Sequence, residues 1–191
     1  MIELKDELLL GDGGERLVFI HPNDSSKVIK VLQPELKRHN FQNELEFKYY
    51  NFLQRKNIDF SHITKYYGYV DTNFGKGLVF ERVVDFDNTN SETLRYYLKK
   101  QLLSVEQEKS LLQELKKYLE DNEILFIDCS TQNVFCKKIA QDKYTLIIYD
   151  GLGARRDSIK LALYMRSRLY TRYKIKKQWK IFVNNCEKAK V

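Results

Sequence analysis

Proline is scarce in this chain of 191 residues: only Pro22 and Pro34 occur, both early. Glycine is sparse too, with eight residues, so a Pro/Gly-rich disordered or fibrous chain is excluded. The three cysteines, Cys129, Cys136 and Cys186, form no CxxC pair and leave an odd count. That pattern supports neither a zinc site nor a disulfide framework, and it reads as reduced thiols in a cytoplasmic protein. No apolar run approaches the length that spans a bilayer, and the opening MIELKDELLL is too acidic for a signal peptide.

What is present is globular composition, 43% hydrophobic and 13% aromatic. It is enough for one ordinary domain or two small lobes sharing an interface. The formal net charge of +7 is unevenly placed, because ten basic residues between Arg155 and Lys180 face Asp157 alone. Such a segment suits an anionic partner, whether a phosphate-bearing substrate, a lipid headgroup at a membrane surface or nucleic acid, and equally a solvated helix face. Tyr164, Tyr170, Tyr173 and Trp179 interleave with the charges. Aromatics at helical spacing more often pack into a core than stack on bases, so nucleic acid is the least favoured of these partners.

The first half reads as strands around one helix. LLLGDGGERLVFIHP is an apolar run, a glycine turn and a second apolar run, which predicts a hairpin. KVIKVL predicts a short β-branched strand, and residues from about 35 to 56 recur in apolar positions at helical spacing. ITKYYGYVDT and GKGLVFERVV are two further strands joined by a turn around Asn73–Gly77. In the second half Ser91 is positioned to cap one helix, and Ser104 with Gln107 makes a capping box for a longer one. LFIDCSTQNVF and YTLIIYD follow, joined by a polar turn at 141–143, and the remainder from Ser158 is helical. A boundary near Val83–Asp87 separates a β-rich part, 1–83, from a mostly helical part, 84–191.

Five features carry chemistry, and each has a plain structural use as well. GDGGERLV fits G-x-G-x-x-G-x-V at Gly11, Gly13 and Val18, with Arg16 at the third glycine position. Such a loop can fold closely over phosphates, and a hairpin turn uses the same residues. Lys30, flanked by β-branched residues, can neutralise phosphates or guard a sheet edge. Glu46 or Glu44 on the following helix can orient Lys30 by an ion pair; Glu46 is preferred because Tyr49 and Tyr50 follow it at the spacing of core contacts. Asp128 can align an attacking hydroxyl, and Asn133, five residues on, can bind Mg²⁺, although Asp, Ser, Thr and Asn also favour turns. Asp150, followed by Gly151 and Gly153, can ligate Mg²⁺ or close a strand. The stretch GLVFERV, with Glu81, lies between the third and fourth features as a hinge-like nucleotide contact.

The order of these features resembles the protein-kinase-like phosphotransferase fold. Within it the chain resembles the small bacterial family of PhoP regulatory network protein YrbL, on ELEFKYYNFL, ITKYYGYVDTNFGKGLVFERVVDFDN, LKKYLEDNEILFIDCSTQNVF, YDGLG and KKQWKIF. The resemblance implies an α+β, two-lobe kinase-like fold with a shortened C-terminal lobe. It implies ATP and Mg²⁺ between the lobes, with Lys30, Glu46 and Asp128 catalytic, Gly11, Gly13, Val18 and Glu81 at the nucleotide, and Asn133 and Asp150 on the metal. The departures are Phe126 in place of the usual histidine, Ser130 in place of the usual lysine, and Gly151 in place of the phenylalanine of D-F-G. The early prolines leave no A-P-E segment, which favours a small-molecule or envelope-saccharide hydroxyl, anionic in character, over a protein acceptor. A regulatory module that binds nucleotide without transferring phosphate remains the alternative.

Overall fold

The computed structural model describes residues 1–33, 41–153 and 159–191. Five strands form one antiparallel sheet: β1 (Leu9–Asp12), β2 (Arg16–Ile20), β3 (Lys27–Leu32), β4 (Tyr66–Thr72) and β5 (Gly75–Glu81), in the order β1-β2-β3-β5-β4. The hairpins arise where the sequence alternates and then breaks at glycine. The central strand, β3, pairs Lys30 with Val18 of β2 on one side and with Leu78 of β5 on the other.

Helix α1 (Phe41–Arg55) crosses one face of this sheet. Leu45, Tyr49, Tyr50 and Leu53 form its buried stripe, and the Tyr50 ring meets Phe80 of β5 edge-on at 5.0 Å. The expected helix began near residue 35; residues 34–40 lie outside those described.

The second half holds α2 (Leu94–Lys99), α3 (Val105–Asp121), the hairpin β6 (Val134–Ala140) and β7 (Lys143–Ile148), α4 (Ile159–Arg166) and α5 (Arg168–Ala189). The capping box at Ser104 and Gln107 is present. Ser91 does not cap α2. Thr93 accepts from the Tyr96 N–H instead, and the Ser91 hydroxyl donates to Asp85 at 2.5 Å, which fastens the turn after β5. Ser167 caps α5, so the helical tail is two helices and not one. One hydrophobic cluster runs from Val28 and Phe80 through Tyr49 to Leu115, Phe126 and Phe182, joining the strand-rich and helical parts. Cys129, Cys136 and Cys186 are all buried, and none is in a disulfide. Among the described residues no helix is long and apolar enough to cross a membrane.

Part of the basic tail is structural. Glu123, 5% exposed, accepts from Arg168 Nε at 2.9 Å and Arg172 Nε at 3.0 Å, with Lys56, just after α1, at 3.4 Å. Tyr164 is buried and stacks on Tyr170 at 5.1 Å. Trp179 packs against Phe182 at 5.4 Å, which leaves Tyr173 as the exposed member of the four aromatics. Arg155 and Arg156 lie outside the described residues.

Candidate functional site

Strand β3 delivers Lys30 to the face that α1 covers, where the side chain is 3% exposed. Its Nζ donates to the Tyr149 carbonyl at 2.6 Å and to Glu46 Oε1 at 3.3 Å, and it lies 4.4 Å from the Phe80 ring centroid. Glu46 sits on the buried stripe of α1, whereas Glu44 is exposed.

Arg16 opens β2 at the third position of the glycine pattern, and the side chain turns inward. It is 7% exposed. Its Nη1 donates to Glu46 Oε2 and, at 3.4 Å, to Asn43 Oδ1. Its Nη2 donates to Asp150 Oδ2 at 2.7 Å. Glu46 therefore serves two buried cations, and a side chain from the β1–β2 hairpin reaches across to the carboxylate after β7. Burial pushes the Asp150 carboxyl up, but Arg16 and then Lys30 outweigh it and hold the pKa at about 2. Burial likewise opposes ionisation of Glu123, and Arg168 and Lys56 overcome it, so that its pKa is also lowered.

Both carboxylates bind a proton more weakly in the folded state than in the unfolded chain, where the pKa is about 4. Their contribution is complete above about pH 5 and is lost as pH falls toward 2. Urea midpoints are thus expected to decline steadily from pH 5 to pH 3, and the decline should shrink in Glu123→Gln. An unchanged midpoint across that range would contradict both pairs.

The loop at 128–133 is built by mutual bracing. The Ile127 and Asp128 N–H groups donate to the Gly151 carbonyl at 2.9 and 3.0 Å. Asn133 Nδ2 donates to the Asp128 carbonyl at 3.0 Å, and the Tyr149 N–H donates to the Asn133 carbonyl at 3.0 Å. Gly151 has φ +82°, and a Cβ there would fall 2.8 Å from Asp128 Cβ and 2.9 Å from Asn133 Nδ2. Only glycine lets Asp150 follow so closely on the loop. Gly153 is closed in a similar way: φ is +84° and a Cβ would lie 2.7 Å from Tyr49 Cγ. Gly153→Ala is therefore expected to destabilise by about 2–3 kcal/mol, from strain and overpacking together. Chemical denaturation checks this, with Gly14→Ala, where an added Cβ meets nothing, as the near-neutral control.

Sequence reasoning missed what lies beneath this loop. Gln178 Nε2 of α5 donates to the Ile127 carbonyl at 2.8 Å, and Asn185 Nδ2 to the Cys129 carbonyl at 2.7 Å. Phe126, standing where a histidine is usual, packs edge-on against Phe182 of the same helix at 5.3 Å. The available signal was two amides seven residues apart, in line with Ile175, Phe182 and Cys186 on a buried stripe.

Lys30, Asn133 and Asp150 line one cleft of about 740 Å³, roofed by Gly11–Gly14 and walled by Val18, Val28 and Phe80. Neither Gly11 nor Gly13 has a strained backbone; a Cβ on Gly11 would meet nothing within 4 Å, whereas one on Gly13 would lie 3.2 Å from the Arg16 carbonyl oxygen. Glu81 stands on the rim, accepting the Lys65 N–H at 3.3 Å. Asp128 is not part of this lining. It lines a second depression, of about 720 Å³, together with Ile127, Ser130 and Thr131 of the same loop.

Asn133 and Asp150 are hard oxygen donors of the kind Mg²⁺ takes. With Nδ2 of Asn133 spent on Asp128, its Oδ1 is the amide atom available to a cation. Among the described residues no cluster of three or more His, Cys, Asp or Glu could hold a metal alone, so the pair fits a cation that shares its shell with ligand oxygens and water. Arg16 already occupies one oxygen of Asp150.

Residues 2–187 match the family of PhoP regulatory network protein YrbL. This chain belongs to the YrbL family. The YrbL proteins of Escherichia coli (strain K12) and Shigella flexneri are each 31% identical to it over 185 residues, which covers 96% of this chain and 87% of theirs. In three dimensions this YrbL-family chain is similar to the PknI kinase domain of Mycobacterium tuberculosis, with a TM-score of 0.54 at 14% identity. The match covers 75% of this chain and 57% of that one. The α+β fold is therefore that of the protein kinases, spanning little more than half the length of that solved chain.

Proposed function

We propose that this YrbL-family chain is a phosphotransferase that binds ATP with Mg²⁺ in the inter-lobe cleft and phosphorylates the hydroxyl of a small molecule or saccharide in the cytoplasm. The observation that carries the reading is the convergence of Lys30, Asn133 and Asp150, from distant parts of the chain, on one cleft beneath the glycine turn. In this reading Val18, Val28 and Phe80 take the flat base, Glu81 marks the adjoining edge, and Gly11 and Gly13 make room for the phosphates. Lys30, oriented by Glu46, neutralises them. Mg²⁺ held by Asn133 and Asp150 would offset charge on the phosphates. Asp128, fixed by Gly151 and α5, aligns the acceptor hydroxyl. Only five residues separate Gly153 from the start of α4 at Ile159. That is too short for a segment on which a protein substrate could dock, and it favours a small acceptor.

A second reading is favoured by Arg16. A cation that already neutralises Asp150 suits a module that binds nucleotide without transferring phosphate.

Calorimetric titration with ATP, with and without Mg²⁺, tests the shared premise. Binding with Mg²⁺ is expected, and Lys30→Met should weaken it by about tenfold or more, one charge-assisted contact being worth about 1.5–3 kcal/mol. No ATP binding under either condition would sink both readings.

A further inference from the structure

The depression that contains Asp128 has a character of its own. Arg95 and Lys99 enter it from successive turns of α2, and Lys188 enters from the last turns of α5. All three are exposed, and among the described residues none forms an ion pair with a carboxylate. The contrast with the rest of the tail is plain, since Arg168 and Arg172 are spent on Glu123 and Lys190 on Glu108 and Glu187. Among the described residues of the lining, Asp128 is the one acidic side chain. Gln178 and Asn185, also in the lining, each donate an amide N–H to a loop carbonyl, which fixes the side chains beside Asp128.

We propose that this depression is the acceptor site, and that it selects a small hydroxyl-bearing molecule carrying a phosphate or other compact anionic group, held by Arg95, Lys99 and Lys188. The inference rests on the phosphotransferase reading and adds to it the class of acceptor. Two points support the assignment. The cavity is of a size that holds a small metabolite. Its three cations come from two helices, α2 and α5, and line the depression together with Asp128, whose loop also carries Asn133 of the first cleft, so a phosphate on the acceptor would meet charge-assisted donors.

The test uses the full chain and its Lys99→Glu/Lys188→Glu variant, both substitutions being exposed. Inorganic phosphate, glycerol 3-phosphate and neutral glycerol are titrated by NMR while the Gln178 and Asn185 side-chain amides are followed, and phosphatidylglycerol vesicles are tested by sedimentation. Wild type should bind the two phosphates and not glycerol. The variant should lose about tenfold or more in that affinity while ATP binding is unchanged. Retention on vesicles that the variant abolishes would assign the anion to a lipid headgroup, and shifts with soluble phosphates alone would assign it to a free metabolite. Phosphate affinity equal in wild type and variant, or shifts confined to Gly11–Gly14 and Lys30, would overturn the proposal and leave the nucleotide reading standing. Phosphate binding at these amides in a chain that binds no ATP would remove the nucleotide reading, and with it the acceptor role, leaving an anion site alone.

Discussion

Glu46→Ala is expected to lower stability by about 3–5 kcal/mol, because the carboxylate behind the cleft pairs with two buried cations. The reason lies in who depends on it. Arg16 and Lys30 are 7% and 3% exposed; Arg16 donates to Oε2 of this carboxylate and Lys30 to Oε1. Removing it strands two cations in a space that water barely reaches, although Arg16 keeps Asp150 and Lys30 keeps the Tyr149 carbonyl. The Asp150 partnership compensates less, because that side chain is 37% exposed and solvent weakens the attraction. For a chain of this length the loss corresponds to a fall of roughly 6–20 °C in melting temperature. Glu44→Ala, on the same helix but in solvent, should stay within about 0.5 kcal/mol of wild type. Equal melting temperatures for the two variants would show that the buried triad contributes nothing.

Asp128→Asn is the second large effect, and it falls on activity. The side chain lies outside the nucleotide cleft, so ATP affinity should be unchanged. The backbone of the loop is held by Gly151, Gln178 and Asn185, so melting should hardly move. Phosphate transfer should fall by about 10²–10⁴-fold, the usual loss when a positioned base is removed. Transfer that survives in Asp128→Asn, with transfer abolished in Asp150→Asn, would take Asp128 out of the reaction. Nucleotide binding with no transfer from wild type to any hydroxyl compound would favour the binding-only reading.

The sequence carried the strands well, because β2, β3 and β5 are bounded by glycine or turn residues and rich in β-branched side chains. Their pairing needs little beyond that pattern. Glu46 could be read ahead of Glu44 because Tyr49 and Tyr50 mark the buried side of α1. Ser91 could not be read, since a serine before a helix looks the same whether it caps the helix or bonds an aspartate six residues earlier. Arg16 was visible as a departure from a glycine pattern, yet its partners lie 30 and 134 residues away. A local motif says nothing about contacts of that range. The tail misled for a related reason: its charge was countable, but the buried Glu123 that absorbs part of it, and the three cations that stay unpaired around Asp128, are set by tertiary packing.

The bracing of Asp128 from α5 also bears on how the molecule is made. Gln178 and Asn185 lie 51 and 56 residues beyond the carbonyls they hold, so the loop has no floor until nearly all of this chain has left the ribosome. The five-stranded sheet needs nothing beyond Glu81 for its pairing. During synthesis, then, the sheet with its glycine turn can form early, while the loop that carries Asp128 waits for the final helix.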